Sequence, residues 1–143
     1  KSCLVAIYTA HSPTKETQHL AFSNDRGRTW TKYASNPVLD IGAQDFRDPK
    51  VFWHAASNQW VMVVATPNEK KVRLYGSTNL KAWKLLSEFG PAGVTAGAWE
   101  CPDLFELPIE GSRTNKRWVL LVSTSAGGAA GGSGVQYFVG TWR

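Results

Sequence analysis

The sequence repeats itself at a spacing of 53 residues, and this repeat limits the possible folds more than any other feature. Trp30 and Trp83 are 53 residues apart, and so are Pro49 and Pro102. The segments RDPKVFW, QWVMVVAT and VRLYGSTNLKAW are followed one period later by ECPDLFEL, KRWVLLVSTS and VQYFVGTW. A unit of four short strands repeated at about this spacing is typical of a propeller blade. We therefore predict the last three strands of one blade, one complete blade and three strands of a third.

Ten short apolar segments alternate with turn signals, and no stretch has the period of an amphipathic helix. We predict strands at Leu4 to Thr9, Gln18 to Ser23, Thr29 to Tyr33, Pro49 to His54, Gln59 to Ala65, Val72 to Gly76, Trp83 to Ser87, Asp103 to Leu107, Arg117 to Ser123 and Val135 to Thr141. The predicted fold class is all-β, as part of a β-propeller with two to three blades covered. Because propellers close with roughly four to eight blades, the chain is expected to be a segment of a larger domain.

Composition agrees with this prediction and excludes several classes of partner. Aromatic residues make up 12% of the chain, including seven tryptophans, which favours β-structure with large packing side chains. No run of 18 apolar residues is present, so no membrane partner is expected. The net charge of +5 comes from basic residues dispersed over predicted turns. Nucleic-acid binding would require them along one stripe, so no nucleic-acid partner is expected.

Neither the cysteines nor the histidines form a recognisable metal site. Cys3 and Cys101 fit neither a metal cluster nor a disulfide framework. Cys101 has apolar neighbours and is predicted to be a small buried residue. His11, His19 and His54 lack any metal-binding spacing, so no metal ion is expected.

The segment SNDRGRTW predicts a tight hairpin turn. Asp25 can accept backbone N–H bonds across the turn, Gly27 can adopt a positive φ, and Trp30 is expected to anchor the following strand in the core. The spacing resembles the Asp-box of sialidase-type propellers, and STNLKAW is a looser copy with Asn79 in place of the aspartate. We interpret both segments as turn architecture, which supports the fold and carries no catalysis.

Two carboxylates begin strands that otherwise belong in a core. We interpret Asp48 and Glu100 as equivalent positions of successive blades, which would bring both toward one central funnel. A single aspartate before proline is more often a turn former, but two acids in consecutive repeats suggest paired carboxylate chemistry. Glycosidic bond cleavage uses such a pair, one acid as proton donor and the other as a charged partner.

Their neighbours suggest which acid has which role. Glu100 lies between Trp99 and Cys101, and apolar surroundings favour the protonated form that a donor needs. Asp48 follows Arg47, whose charge would keep it ionised, and Arg47 can also bind sugar hydroxyls. Glu100 is therefore predicted as acid/base and Asp48 as the charged group. Trp99 is a candidate for stacking on a sugar ring, although packing between blades is favoured.

At this point the motifs show a family resemblance. FRDPKVFW, WECPDLFEL and QYFVG, in this order, resemble the RDP, EC and QYFVG motifs of glycoside hydrolase family 32, the invertases, inulinases and levanases. The order and the Gly-rich hairpin are most similar to fungal exo-acting inulinases. In the family an acidic residue and glycine usually follow QYFVG, whereas Thr141 and Trp142 follow here.

The resemblance implies a five-bladed propeller followed by a β-sandwich, and a secreted enzyme that cleaves terminal β-D-fructofuranosyl bonds with retention and without a cofactor. Asp48 would hold fructosyl hydroxyls and stabilise the transition state, Glu100 would be the acid/base, and Arg47 would lie beside the sugar. The family's nucleophilic aspartate lies in an NDPNG-type motif of the first blade, which is absent from this chain. Asp25 does not replace it, because its context assigns it to a turn.

Residues 1–143 are therefore expected to be an internal segment of an N-terminal catalytic propeller, with the nucleophile-bearing blade and the β-sandwich outside the chain. Since catalytic groups act as a unit, the isolated chain is predicted to hydrolyse neither sucrose nor inulin. The expected partners are a fructan or sucrose substrate and the rest of the propeller. Three alternatives stay open: a non-catalytic carbohydrate-binding propeller, a fructosyltransferase of the same fold, and a propeller glycosidase for another sugar. The sequence leaves sucrose, inulin and levan equally possible.

Overall fold

The computed structural model describes residues 3–112 and 114–142, which form three antiparallel sheets. The first sheet contains β1 (Leu4–His11), β2 (Glu16–Ser23) and β3 (Thr31–Lys32); the second contains β4 (Arg47–His54), β5 (Gln59–Thr66), β6 (Lys71–Ser77) and β7 (Lys84–Phe89); the third contains β8 (Trp99–Pro108), β9 (Lys116–Thr124) and β10 (Gly134–Gly140). In each sheet, strands that are consecutive in sequence are neighbours. Short 3₁₀ turns follow β4 and β5, at Ala55–Ser57 and Pro67–Glu69. No helix of the described residues is long and apolar enough to cross a membrane.

The hairpin turns identify which strands of a blade each sheet contains. The turn after β2 and the turn after β6 have the same sequence type, so β2 is equivalent to β6 and β1 to β5. Within the described residues the first sheet thus has no counterpart of β4, whereas β8 pairs with β9 as β4 pairs with β5. The all-β class is confirmed, and so is the predicted division into three, four and three strands.

Strand β5 holds the three sheets together because both of its faces are buried. Val61 and Val63 pack with Trp99, Leu120 and other apolar residues of the third sheet. The intervening Met62 and Val64 point to the opposite face, where Phe46, Tyr75 and partly buried Ile7 of the first sheet contact them. Successive strand residues face opposite sides, so an uninterrupted apolar strand places its sheet between two others. The middle blade is therefore packed on both faces, as expected of adjacent propeller blades.

Strand boundaries differ from the predictions where the backbone is irregular. Strand β4 begins at Arg47 instead of Pro49, and β8 begins at Trp99 instead of Asp103. In both cases, pairing continues through a bulge that lies next to a proline, so the proline did not mark the strand end. Strand β3 is only two residues long.

The two predicted turns share one hydrogen-bonding pattern. The Asp25 carboxylate accepts bonds from the Thr29 N–H at 2.9 Å and the Thr29 hydroxyl at 2.7 Å, and Gly27 has a φ of 83°. In the second turn, the Asn79 side-chain oxygen accepts the N–H groups of Lys81 and Ala82, at 2.9 and 3.0 Å. The turn prediction is confirmed.

The predicted role of Trp30 is wrong. Its side chain is 47% exposed, and its Nε1 donates to the Gly27 carbonyl at 3.1 Å. Trp83 makes the same bond to the Leu80 carbonyl at 3.1 Å. Trp30 therefore closes its turn instead of anchoring the strand in the core, whereas Trp83 closes its turn and also packs against the core of the second sheet.

Candidate active site

Matching β-bulges open strands β4 and β8 at the RDP and EC motifs. On β4, Arg47 pairs with Ala65 and Lys50 with Val63, which leaves one extra residue in β4. On β8, Glu100 pairs with Ser123 and Asp103 with Leu121, with the same excess. A β-bulge redirects the side chains beside it, and a proline in the bulge gives up no ladder hydrogen bond.

The left-handed residue of each bulge fixes which positions are equivalent. Asp48 has a φ of 63° and Cys101 a φ of 49°, both in the region that residues other than glycine rarely adopt. Asp48 thus corresponds to Cys101, and Arg47 corresponds to Glu100. The expectation that Asp48 and Glu100 occupy equivalent positions is wrong by one residue, because the EC motif places its acid one residue earlier than the RDP motif does.

Equivalent residues of the two bulges contact each other directly. Arg47 donates to Oε1 of Glu100 from Nε at 3.2 Å and from a terminal nitrogen at 3.0 Å. The Cys101 N–H donates to Oδ2 of Asp48 at 2.9 Å. The structure thus brings Arg47, Asp48 and Glu100 together on the first strands of two neighbouring blades.

Arg47 is shared among three carboxylates. Besides Glu100, its guanidinium donates to Asp45 at 2.7 Å and to Glu16 at 3.1 Å. Burial alone would lower the pKa of Arg47, but the hydrogen bonds that it donates to Asp45, Glu100 and Glu16 outweigh this effect, so the pKa of Arg47 is raised. Arg47 is therefore a permanent cation, which is 24% exposed at its side chain.

These contacts contradict the electrostatic argument made from the sequence. Arg47 was expected to keep Asp48 ionised, but the carboxylate that it holds across the blades is Glu100. Sequence neighbours on a strand point in different directions, so adjacency of Arg47 and Asp48 did not imply a pair. The assignment of acid and charged partner consequently depends on the family resemblance, and the local sequence does not support it.

Trp99 packs in the core between the second and third blades. It has no exposed surface, its Nε1 donates to the Val94 carbonyl at 2.8 Å, and its ring stacks near Phe89 and Phe138. A side chain without exposed surface offers no face to a sugar, so the substrate-binding expectation for Trp99 is corrected to a packing role.

Cys101 is exposed, so its predicted burial is wrong as well. The bulge turns it out of the sheet instead of into the core. Partial desolvation and the negative charges of Asp48 and Glu100 raise the pKa of the Cys101 thiol, while Arg47 opposes this effect.

The backbone of the RDP segment is held by side chains of the preceding blade. The Phe46 N–H donates to Glu16 Oε2 at 2.9 Å, and the Phe46 carbonyl accepts a bond from Gln18 at 2.6 Å. The Asp48 N–H donates to the Thr9 hydroxyl at 3.2 Å, and that hydroxyl donates to Gln18 at 2.9 Å. These contacts fix the segment on both sides of Arg47.

Sequence reasoning missed these supporting residues. Glu16 and Gln18 are 7% and 0% exposed, although polar residues at the start of a strand usually face water. Asp45, which accepts a hydrogen bond from the Asn68 side chain, is a further supporting residue that the motifs did not indicate. The available signal was the alternation of Glu16, Gln18 and Leu20 on one face of β2, which places polar and apolar residues on the same buried side.

The carboxyl group of Glu100 is available for chemistry on a substrate. Glu100 is 36% exposed at its side chain, and in the described part of the chain both of its hydrogen bonds end on Oε1. Its second oxygen can therefore meet a substrate. Among the described residues, no cluster of His, Cys, Asp and Glu has a geometry that could hold a metal ion.

Comparison with known proteins identifies the family. The model of the glycosyl hydrolases family 32 N-terminal domain matches residues 1–143. The chain belongs to this family. A levanase of Bacillus subtilis is 54% identical over 139 residues, which are 96% of this chain and 20% of that protein. An extracellular exo-inulinase of Meyerozyma guilliermondii is 46% identical over 139 residues, 97% of this chain and 27% of the relative.

Solved structures of family 32 enzymes share the fold. A β-fructofuranosidase from Schwanniomyces occidentalis, complexed with fructosyl-erythritol, superposes with a TM-score of 0.91 at 50% identity, over 96% of this chain and 27% of that protein. An exo-inulinase from Aspergillus awamori gives a TM-score of 0.94 at 41% identity, over 100% of this chain and 32% of that protein. The three sheets are thus parts of family 32 propeller blades, and the chain spans about a fifth to a third of the relatives that it matches.

Proposed function

We propose that this chain is an internal segment of the catalytic propeller of a secreted enzyme that releases terminal β-D-fructofuranosyl units from inulin, levan or sucrose. The observation that carries the proposal is the pair formed by Arg47 and Glu100 beside Asp48, on the first strands of adjacent blades. Relatives named levanase, invertase and exo-inulinase support the substrate class, and those named extracellular support secretion.

In this proposal each site residue has one task. Glu100 protonates the leaving oxygen and later removes a proton from water, as a retaining mechanism requires. Asp48 is held by the Cys101 N–H and accepts hydrogen bonds from fructosyl hydroxyls, which stabilises the developing positive charge. Arg47 orients Glu100 and binds the sugar. The nucleophilic carboxylate and the β-sandwich are supplied by parts of the protein outside residues 1–143.

The test is the replacement Glu100→Gln in the full-length protein. Acid–base catalysis contributes about 10²–10⁴-fold, so fructose release from sucrose and inulin should fall by about that factor. A fructoside whose leaving group needs no proton, such as a p-nitrophenyl fructoside, should lose much less. Glu106→Gln is a matched control, because Glu106 lies on the same strand and pairs with Lys116 at 3.4 Å away from the motif.

Equal losses on both classes of substrate would contradict the acid/base role. Retained sugar binding with no hydrolysis by the unmodified protein would instead indicate a non-catalytic carbohydrate-binding propeller. Products longer than the substrate would indicate fructosyl transfer. The isolated 143-residue chain is expected to release no fructose, because the nucleophile is outside it.

A further inference from the structure

Glu16 is a buried carboxylate that the proposed reaction does not use. It lies on β2 in the preceding blade, and its side chain is 9% exposed. Its Oε2 accepts both the Phe46 N–H at 2.9 Å and the Arg47 guanidinium at 3.1 Å, while Oε1 lies 3.3 Å from Nδ1 of His11. Burial raises the pKa of Glu16, but the Phe46, Arg47 and His11 hydrogen bonds outweigh this effect and lower it. Glu16 is therefore held as a charged group under the active site.

We infer that Glu16 is a positioning residue that fixes Arg47 against Glu100 and, together with Asp45, balances the charge of Arg47. This inference rests on the proposed function. A proton donor cannot work well beside an uncompensated arginine, because the cation favours the ionised carboxylate. Two further carboxylates on the same guanidinium reduce that effect while they keep the guanidinium in place.

The charge balance around Glu100 depends on all of the charged and titratable groups that surround it. Arg47 and Asp48 face it from β4, and Cys101 follows it on its own strand. Behind Arg47 lie Asp45 and Glu16, and His11 on β1 contacts Glu16. The Lys50–Asp103 pair, at 2.9 Å, is the next pair along the two strands and neutralises itself. The local formal charge of the site is thus negative, and Glu16 is its most buried contributor.

The first readout is the pH profile of kcat/KM in the full-length protein with Glu16→Gln. The glutamine keeps an acceptor for Phe46 and Arg47 but removes the negative charge. The high-pH limb, where the proton donor loses its proton, should move to lower pH by about 0.3–1 unit. A residue with a purely structural role would lower the amount of active protein and leave the profile in place. Glu16→Ala, which also removes the acceptor, should raise KM in addition, because Arg47 loses its orientation.

The second readout does not require activity. Cys101 lies between Asp48 and Glu100, so the alkylation rate of its thiol reports the local potential. In a Cys3→Ser background, iodoacetamide should modify Cys101 about 2- to 10-fold faster at pH 7.5 after Glu16→Gln, because Arg47 is less compensated. Asp45→Asn should act in the same direction and is the safer variant, since Asp45 is 30% exposed at its side chain. Glu88→Gln is the matched control, because Glu88 is ion-paired with Lys71 on β6, outside the site.

The outcomes separate the two proposals. Faster alkylation after both substitutions supports the charge balance, and if the full-length protein then releases no fructose, only the proposed function fails. Unchanged alkylation and an unchanged pH profile overturn the role of Glu16, even if the enzyme is active. If Glu16→Gln does not fold, an unchanged alkylation rate in Asp45→Asn overturns the charge balance by itself.

Discussion

Replacement of Trp99 by phenylalanine distinguishes packing from sugar binding at the residue before Glu100. Trp99 is fully buried, and its Nε1 satisfies the Val94 carbonyl at 2.8 Å. Phenylalanine is three heavy atoms smaller, which costs about 2 kcal/mol if each counts as a buried methylene at about 0.8 kcal/mol. Loss of the indole hydrogen bond adds about 0.5–1 kcal/mol, the low end for such a bond, because the Val94 carbonyl keeps the bond from the Gln136 side-chain amide at 3.0 Å. Trp99→Phe should therefore lower the free energy of unfolding by about 3 kcal/mol.

The assay is urea unfolding of the full-length protein followed by far-UV circular dichroism, since the substitution itself changes tryptophan fluorescence. Trp53→Phe is the matched control, because Trp53 is 45% exposed and packs against Trp60 at the surface. It should cost less than about 0.5 kcal/mol. KM for sucrose should change little in Trp99→Phe. Unchanged stability together with a KM raised tenfold or more would refute the packing assignment and restore the sugar-stacking role.

Two further predictions test the blade contacts and the hairpin turn. Gly90→Ala should destabilise the protein by about 1–3 kcal/mol, because the new methyl group would meet the Lys70 carbonyl and the Trp99 ring. Gly111→Ala is the control and should cost less, because Gly111 also has a positive φ but has open space around it. Equal unfolding midpoints for both variants would contradict the clash. The Thr29 and Ser23 bonds lower the pKa of Asp25 to about 2, so its contribution to stability is complete above the usual carboxyl range and is lost as the pH falls through about 2. In NMR spectra the resonance of the Thr29 amide should shift near pH 2, because this amide donates to Asp25. The Ala82 amide is the control and should not shift, because it donates to Asn79, which does not titrate. A transition of the Thr29 amide near pH 4 would contradict the lowered pKa of Asp25.

The repeat predicted the fold because its spacing shows how the strands are grouped into blades. The geometry of the site depended on the backbone conformation within each bulge, which the spacing does not show. The 53-residue spacing of Pro49 and Pro102 placed the two bulges in adjacent blades. It could not show that a left-handed residue follows both Arg47 and Glu100, so the acids were paired one residue out of register. The prediction for Trp30 was wrong because a tryptophan at this position can either bond the turn backbone or pack in the core, and the sequence does not show which of the two occurs.

Charge pairing across sheets was the least predictable part of the site. Arg47 contacts Glu16, 31 residues earlier, and Glu100, 53 residues later, so no local window contains the cluster. Glu16 is distinguished only by its burial, which depends on the contact between the first and second blades. Such residues become visible when three blades are assembled.

The geometry of the repeat nevertheless explains why these contacts form. Adjacent blades with the same bulge bring equivalent positions close together, so the Arg47 side chain meets its counterpart Glu100 within hydrogen-bonding distance. Identical charged residues there would repel each other, and the chain instead has Arg47 opposite Glu100. One position later, Asp48 meets the backbone N–H of Cys101, where a second carboxylate would add repulsion to an already acidic site. The departure from exact repetition at these two positions is therefore what converts a packing interface into a candidate active site, and Glu16 in the blade before them extends the same charge pairing one blade further.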